Sequence, residues 1–240
     1  MRFNSLQNQT FLVTGATSGI GRLLVITLVS LGANVAFCGR SEQKMASLLE
    51  ELNTDSSKLF YETFDLTDFE RIEQFVSGVI SKFGGIDVLV NNAGLNSSRA
   101  KTQDLTLSDL AWMTKVNMYA PFVMMREVAN QTMLAKKQGV IINIMSTVCQ
   151  FSNEGIGAYT ASKSGFDGLS KVFRKEVRES GIKVCNLYPG GVDTEFRESK
   201  RPLYLEPNDV VEAILFMAQQ SDKASVDELV IRPKIEKNYS

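Results

Sequence analysis

The feature that most constrains this chain is a stretch near its start in which an apolar run leads into closely spaced glycines and then into an amphipathic segment. Residues 10–28 read TFLVTGATSGIGRLLVITL. The apolar run predicts a buried parallel strand, and the large apolar residues after the glycines fall on one face of a helix. A glycine turn between a strand and a helix aims backbone N–H groups and the helix dipole at a phosphate. The stretch therefore predicts a phosphate-binding turn, although a structural glycine turn without a ligand would use the same residues.

The same order of strand and helix continues along the rest of the chain. Apolar runs predict strands at residues 10–14, 34–38, 58–63, 87–91, 140–146, 183–188 and 228–232. Helical periodicity predicts helices at residues 19–31, 42–53, 68–83, 107–135, 158–180 and 207–219. This alternation predicts an α/β fold, a doubly wound, seven-stranded and mostly parallel sheet with helices on both faces. Since no linker-like or repeated segment interrupts the pattern, we expect a single Rossmann-type domain over residues 1–240.

Composition restricts the chemistry more than it restricts the fold. The chain has no histidine, which excludes Ser-His-Asp and Cys-His schemes and every histidine-ligated metal site. Proton transfer near neutral pH must therefore use a carboxylate, lysine, tyrosine or cysteine. The net charge of -1 gives no electrostatic footprint for nucleic acid. No signal peptide or membrane-spanning run is evident, and the three cysteines lack paired spacing, so we expect a cytoplasmic protein without a metal or a membrane partner.

Residues at the carboxyl ends of the predicted strands are the candidate binding groups, because a doubly wound sheet binds its ligand there. Arg40 follows the second strand, where an NAD site would place a carboxylate to accept the ribose hydroxyls. A guanidinium suits a 2′-phosphate instead, and a solvated loop arginine is the alternative interpretation. After the third strand, Asp65 is placed to meet a donor on an adenine ring, whereas Thr67 or Asp68 would cap the next helix.

The segment after the fifth strand carries the acid–base candidates. Tyr159 and Lys163 are four residues apart on a predicted helix and therefore share a face. A nearby ammonium favours the phenolate, which brings a tyrosine toward the pH range in which it can exchange protons. The alternative is a buried tyrosine and a surface lysine on a core helix.

Several short motifs occur together and in order along the chain. They are TGATSGIG at residues 14–21, NNAG at residues 91–94, Ser146, YTASK at residues 159–163, and Pro189-Gly190. At these spacings the set resembles the short-chain dehydrogenase/reductase family, and the likeness covers about residues 10–232. The resemblance implies an NADP(H)-dependent oxidoreductase that interconverts a carbonyl and a secondary alcohol, and a homodimer or homotetramer as in many members. A non-catalytic NADP(H)-binding sensor or regulatory subunit is the alternative.

The resemblance also implies a role for each matching position. Tyr159 is expected to be the general acid–base, and Ser146 to hydrogen-bond the substrate oxygen. Lys163 is expected to bind the nicotinamide ribose and assist the tyrosine. Asn117 matches the family's helix asparagine that holds a proton-relay water, and a polar kink in a long helix is its other interpretation. The expected cofactor-binding residues are Gly15, Thr17, Ser18, Gly19, Ile20, Gly21, Arg40, Asp65, Leu66, Asn92, Ala93, Gly94, Tyr159, Lys163, Pro189, Gly190, Val192 and Thr194.

Some positions depart from the family's pattern. Met145 stands where a serine is common, and Cys149 replaces the glycine usual three residues after the catalytic serine. These two changes leave the pocket shape and the loop path open, and Cys149 is expected to be a small apolar filler rather than a reactive thiol. Ser180 replaces a basic residue common in carrier-protein reductases, which weighs against a carrier-protein substrate. Ser18 stands where related NADP enzymes often add a second basic residue, so Arg40 is the one evident cation for a 2′-phosphate.

The substrate pocket is the least constrained part of the site. Four apolar residues suggest a small, mostly apolar substrate: Val148, Phe151, Ile156 and Phe196. A short lid is expected over residues 194–207, so the cleft should be open. Three basic residues of the lid could attract an anion but are more readily explained as a solvated face: Arg197, Lys200 and Arg201.

Overall fold

Seven parallel strands form the centre of the structure, a computed structural model that describes residues 4–52, 54–196 and 200–237. The strands are β1 (Thr10–Thr14), β2 (Asn34–Gly39), β3 (Leu59–Thr63), β4 (Val88–Asn91), β5 (Gly139–Ile144), β6 (Ile182–Pro189) and β7 (Glu228–Ile231). Their spatial order is β3-β2-β1-β4-β5-β6-β7, and each adjacent pair is parallel. The predicted doubly wound α/β fold is confirmed, and the strand order reverses beside β1, where such sheets bind ligands.

The helices lie on both sides of this sheet. They are α1 (Gly19–Ser30), α2 (Glu42–Leu52), α3 (Phe69–Phe83), α4 (Leu107–Thr114), α5 (Ala120–Val128), α6 (Leu134–Lys136), α7 (Gly157–Val177) and α8 (Pro207–Ala218). Short 3₁₀ helices occur at Ser56–Lys58, Thr102–Asp104, Thr147–Cys149 and Arg178–Ser180. In the part of the chain that the structure describes, no helix is both long and apolar enough to cross a membrane.

The predicted helix at residues 107–135 is a continuous helical run with two irregular segments. Lys115–Tyr119 and Ala129–Met133 are π-helical, and they separate α4, α5 and α6. Pro121 lies in the first turn of α5 and lacks a backbone N–H, and its ring would clash with the carbonyl four residues earlier. A wider π turn before the proline relieves that clash, which explains the first segment.

The largest error in a predicted strand concerns β5, which ends at Ile144 and not at residue 146. Met145 still donates its N–H to the Leu187 carbonyl at 2.8 Å. Ser146 then turns the chain away, because its side-chain oxygen accepts the Val148 N–H at 3.3 Å and caps the next 3₁₀ helix. The catalytic candidate Ser146 is therefore just beyond the sheet and not part of it.

Two apolar layers hold the helices on the sheet. In β1, Phe11 and Val13 face the layer that contains α1, α2 and α8, whereas Leu12 faces the layer that contains α3, α5 and α7. All three side chains are fully buried. Because successive strand residues point to opposite faces, a strand covered on both faces reads as a continuous apolar run. This is why the strands were recognisable in the sequence.

A row of buried asparagines crosses the sheet between these layers. Asn91, Asn143 and Asn186 lie opposite one another on β4, β5 and β6. The Asn91 amide donates to Asn143 Oδ1 at 2.9 Å, and the Asn143 amide donates to Ser170 Oγ at 2.9 Å. Ser170 donates in turn to Asn186 Oδ1 at 2.7 Å, and the Asn186 amide donates to Asp167 at 2.9 Å. The row links three strands and α7 just before the strands reach the candidate site.

Candidate active site

The carboxyl ends of the central strands open into a cavity of about 930 Å³. Of the residues assigned to the site from the sequence, all line this cavity except Gly21 and Asn117, which are buried beside it. By the strand order, the glycine turn after β1 and Arg40 after β2 lie on one side of the cavity, and Ser146 after β5 lies on the other. It lies where a doubly wound sheet is expected to bind its ligand.

The glycine turn leaves the beginning of α1 available to a ligand. Ser18 is the N-cap residue of α1, but its side chain makes no capping hydrogen bond. The first N–H groups of the helix lack intrahelical partners, so they are free to bind a phosphate. Gly21 has a different part: a Cβ there would clash with the Gly15 carbonyl and lie 2.5 Å from the Asn92 amide nitrogen. Gly21 therefore lets α1 pack closely on the turn, and its expected contact with the cofactor stays a prediction.

The NNAG segment at the end of β4 is tied to the glycine turn. The Asn92 side chain donates to the carbonyls of Thr14 and Gly15, at 3.0 and 3.2 Å. Thr14 Oγ1 accepts the N–H groups of Asn92 and Ala93, both at 3.1 Å. These bonds fix the two loops that form one wall of the cavity, so Asn92 shapes that wall.

The ends of β2 and β3 supply polar groups at the far end of the cavity. Arg40 is exposed, and its guanidinium makes no hydrogen bond or ion pair with any residue that the structure describes. Asp65 also lines the cavity and accepts the Thr67 N–H at 2.8 Å. Asp68 caps α3 through the Arg71 N–H, as one of the two cap alternatives predicted.

Asn117 lies in the first π-helical segment and is fully buried. Its Oδ1 accepts the Leu95 N–H and its Nδ2 donates to the Leu95 carbonyl, both at 2.8 Å. Nδ2 also donates to Ser162 Oγ at 3.1 Å, so this residue joins the helix of α4 to α7 and to the loop after NNAG. A Cβ on Gly94 would lie 3.3 Å from both Asn117 Oδ1 and Lys163 Nζ, which places these two side chains side by side. The expected role of Asn117 in holding a proton-relay water stays a prediction.

Ser146, Tyr159 and Lys163 line the same end of the cavity. Lys163 is 5% exposed, and its ammonium donates to the Ile144 carbonyl at 2.8 Å. Tyr159 precedes it by one turn of α7, and the Tyr159 ring centroid lies 6.1 Å from that of Phe196. Burial lowers the pKa of Lys163 to about 8. The alternative of a surface lysine is therefore wrong: this ammonium is buried among the candidate reacting groups.

The buried ammonium should make stability depend on pH. Below about pH 8 both the folded and the unfolded chain hold the Lys163 proton, and the folded chain bears the cost of burying the charge. Between about pH 8 and the ordinary lysine value of 10.5, the unfolded chain binds more protons, so folding stability rises with pH. Relative to Lys163→Met, the free energy of unfolding should rise by up to ~3 kcal/mol over that window.

Urea unfolding of the ligand-free protein at a series of pH values measures this difference. Lys175→Met is the matched control, because Lys175 is on the same helix but exposed, and its curve should run parallel to that of the unmodified protein. Parallel curves for Lys163→Met as well would contradict a lowered lysine pKa.

The loop after β6 is held by two residues that the sequence did not single out. Glu236 Oε1 accepts the Gly191 N–H at 2.7 Å. A Cβ on Gly190 would clash with Glu236 Oε2, and a Cβ on Gly191 would clash with the Tyr204 ring. The missing side chain of Gly190 thus leaves room for Glu236 from the segment after β7, and that of Gly191 leaves room for Tyr204 from the lid. The adjacent glycines Gly190 and Gly191 indicate a close contact at this loop, but nothing in the sequence identifies Glu236, 45 positions after Gly191, as the contacting residue.

The pocket is more polar than expected. Val148, Ile156 and Phe196 line the cavity, but Phe151 does not. Charged residues also line it: Arg99, Glu154, Arg201 and Glu236. These charged residues lie in the segments after β4, β5, β6 and β7, and the cavity that they line includes the expected cofactor cleft, so the mostly apolar substrate stays a prediction.

The lid residues are placed only in part. Arg197 lies outside the described residues, and Lys200 is exposed. The described lid residues are anchored by a parallel bridge between Val192 and Leu205. Arg201 lies over the Tyr204 ring at 5.9 Å from its centroid. The lid is thus attached to the loop after β6 at its base.

The two departures from the family pattern differ in their relation to the cavity, because Met145 lines it and Cys149 does not. Met145 is 2% exposed and belongs to the core layer that contains α7. Cys149 packs against the same layer, and burial raises the pKa of its thiol. The thiol is therefore protonated near neutral pH, in keeping with a filler and not a nucleophile. Within the described residues, no group of three histidine, cysteine or acidic side chains could hold a metal ion.

The chain is similar to known proteins over most of its length. Residues 9–204 match the family model described as short chain dehydrogenase. A protein of Streptomyces violaceoruber, named as a ketoacyl reductase of the granaticin polyketide synthase, is 37% identical over 196 residues, which are 80% of this chain and 71% of that protein.

Solved structures agree with this match. An alcohol dehydrogenase from the archaeon Thermococcus sibiricus, complexed with 5-hydroxy-NADP, has a TM-score of 0.88 at 25% identity and covers 96% of this chain and 99% of its own. A metagenomic short-chain oxidoreductase in complex with NADP has a TM-score of 0.84 at 30% identity, with 97% and 100% covered.

Proposed function

The chain belongs to the short-chain dehydrogenase/reductase family, and on that premise we propose that it interconverts a carbonyl and a secondary alcohol with NADP(H). The observation that carries the proposal is the single cavity that joins a phosphate-binding turn to Ser146, Tyr159 and a buried Lys163. The cofactor would supply the hydride in reduction and accept it in oxidation, and the protein supplies binding, orientation and proton transfer.

The chain's own groups fit such a cofactor along the whole cavity. The uncapped N–H groups at the start of α1 suit the pyrophosphate, and the unpaired Arg40 suits a 2′-phosphate. We expect Lys163 to donate to the nicotinamide ribose, and Val192 and Thr194, which also line the cavity, to bind the carboxamide. The NADP and the 5-hydroxy-NADP of the two similar structures support this choice of cofactor.

In this proposal the proton moves at the Tyr159 hydroxyl. Tyr159 donates it to the substrate oxygen during reduction and accepts it during oxidation. Ser146 donates a hydrogen bond to the same oxygen and so holds it beside the phenol. The Lys163 ammonium favours the phenolate that forms when the proton leaves. The absence of histidine excludes an imidazole from this task.

The substrate is proposed to be a small carbonyl compound or secondary alcohol. Val148, Ile156 and Phe196 form an apolar surface beside the reacting groups, and Arg99 and Arg201 add positive charge to the cavity. A panel of neutral and anionic carbonyl compounds, tested with the purified protein and NADPH, decides the function. Loss of NADPH absorbance with at least one class is expected.

A non-catalytic sensor or regulatory subunit is the competing function. Such a protein would bind NADPH but oxidise it with no member of the panel. The sensor function does not require Ser146, Tyr159, Lys163 and Asn117 to be kept together, and in this chain all four are present. Binding without turnover across the panel would favour the sensor.

We also propose a homo-oligomer formed through the helices on one side of the sheet. Large apolar side chains are exposed along α7 and the helical run of α4: Trp112 (37%), Tyr119 (48%), Leu169 (36%) and Val172 (55%). Such residues could pair across a two-fold axis, because a symmetric interface uses the same patch twice. Light scattering at micromolar concentration should therefore give a dimer or a tetramer.

A charge placed in this surface should weaken the assembly. Val172→Arg is expected to shift the protein toward the monomer, since burying an unpaired charge is costly. Leu31→Arg is the control, because Leu31 is 44% exposed at the end of α1, away from α4 and α7. A monomer for the unmodified protein would contradict the proposal.

A further inference from the structure

An ion pair bridges the cavity between the start of α2 and the lid. Lys44 Nζ lies 2.5 Å from Glu195 Oε2, and both residues line the cavity. Their side chains are 49% and 72% exposed, respectively. Immediately before this pair in the lid, Thr194 packs on the glycine turn, where a Cβ on Gly19 would lie 3.4 Å from it. The lid therefore contacts the phosphate-binding half of the site at two neighbouring points.

Lys44 is close to Arg40 in the structure as well as in the sequence. It lies in the first turn of α2, and its N–H donates to Ser41 Oγ at 3.3 Å, in the loop that carries Arg40. The other nearby cation, Arg22 of α1, is already engaged with Glu51 at 2.6 Å and does not line the cavity. Among the described residues that line the cavity, Arg40 and Lys44 are the two cations contributed by the segment that follows β2.

We propose that Lys44 is a second binding group for the 2′-phosphate of the cofactor and that Glu195 holds its ammonium until the cofactor arrives. The inference rests on the proposed use of NADP(H). Lys44 would then be the second cation at the 2′-phosphate, which Ser18 in the glycine turn cannot provide. The bound form has Arg40 and Lys44 on the phosphate and leaves Glu195 unpaired.

The exchange of partners follows from the charges involved. An ion pair between two exposed side chains contributes little to stability, so it is easily broken. A phosphate monoester carries a larger negative charge than a carboxylate and offers three acceptor oxygens. Lysine is a compact charge on a flexible stem, so its ammonium can turn from one anion to the other. Glu195 therefore competes with the phosphate for Lys44.

Binding measurements on three variants test this competition without any turnover. Dissociation constants for NADPH and NADH are measured by fluorescence titration for Lys44→Gln, Glu195→Gln and the double variant. Lys44→Gln should weaken NADPH binding roughly three- to tenfold and leave NADH binding unchanged. Glu195→Gln should tighten NADPH binding, and the double variant should behave like Lys44→Gln. Lys200→Gln is the control, because Lys200 is an exposed lid lysine that does not line the cavity.

Other outcomes overturn the inference in distinguishable ways. If both single variants weaken NADPH and NADH equally, the pair merely holds the lid down and Lys44 does not contact the 2′-phosphate. If neither variant changes NADPH binding, Lys44 has no part in cofactor binding. If the unmodified protein binds neither nucleotide, or binds NADH alone, the proposed cofactor is itself wrong and the inference is wrong with it.

Discussion

Replacement of Tyr159 by phenylalanine is expected to lower kcat for carbonyl reduction by about 10²- to 10⁴-fold, the range typical of losing a general acid. The variant keeps the ring and its contact with Phe196, whose centroid lies 6.1 Å away. It removes only the hydroxyl that exchanges the proton. Because the chain has no histidine, no imidazole can take over the proton transfer. Steady-state kinetics with the carbonyl found by the substrate panel measure the loss.

Two further measurements separate this effect from misfolding. The dissociation constant for NADPH should hardly change in Tyr159→Phe, because the ring still packs in place. Tyr61→Phe is the matched control: this ring is 45% exposed on β3 and stacks on Phe37, away from the cavity, so kcat should be normal. Near-normal turnover of Tyr159→Phe would remove this tyrosine from the proposed mechanism.

The second large effect concerns the choice of cofactor. Arg40 makes no hydrogen bond or ion pair with the described residues, so its guanidinium is available to a 2′-phosphate. Hydrogen bonds to charged groups contribute about 1.5–3 kcal/mol, so NADPH should be preferred over NADH roughly ten- to a hundredfold in kcat/KM. Arg40→Asp should weaken the use of NADPH, because the carboxylate repels the phosphate. The same carboxylate accepts ribose hydroxyls, so the use of NADH should be equal or improved.

The control for this substitution is Arg178→Asp, which changes the net charge by the same amount at an exposed position in the 3₁₀ helix after α7. It should leave the preference between the two nucleotides intact. If the unmodified protein uses NADH as well as NADPH, Arg40 is an ordinary surface arginine and its assigned role is wrong.

The fold was predictable because each strand is buried on both faces. Residues such as Phe11, Leu12 and Val13 must all be apolar, whichever layer they enter, and such runs are visible in the sequence. The π-helical segments were not predictable in this way. The first results from the ring of Pro121 acting on the preceding turn, and helical periodicity does not register it.

The site was predictable where neighbouring residues in the sequence form it, and hidden where distant segments meet. The face shared by Tyr159 and Lys163 follows from helical spacing, but the burial of Lys163 depends on how α7 packs against β5. Glu236 reaches Gly191 from the segment after β7, and Lys44 meets Glu195 across the cavity. Such contacts depend on the tertiary arrangement of distant segments, and local sequence patterns do not predict them.

The asparagine row has a consequence for how this protein acquires its site. Parallel strands pair residues far apart in the chain, so no tight turn sets their alignment. A slip of one residue in β5 would turn Asn143 to the opposite layer and remove the buried hydrogen bonds that it makes with Asn91 and Ser170. The hydrogen bonds of the row thus disfavour shifted registers of the strands, but only after β4, β5 and β6 have paired. During synthesis from the amino terminus, the ends of β4, β5 and β6 can be set in their final positions only after Asn186 has emerged, so the catalytic end of the cavity is among the last parts to form.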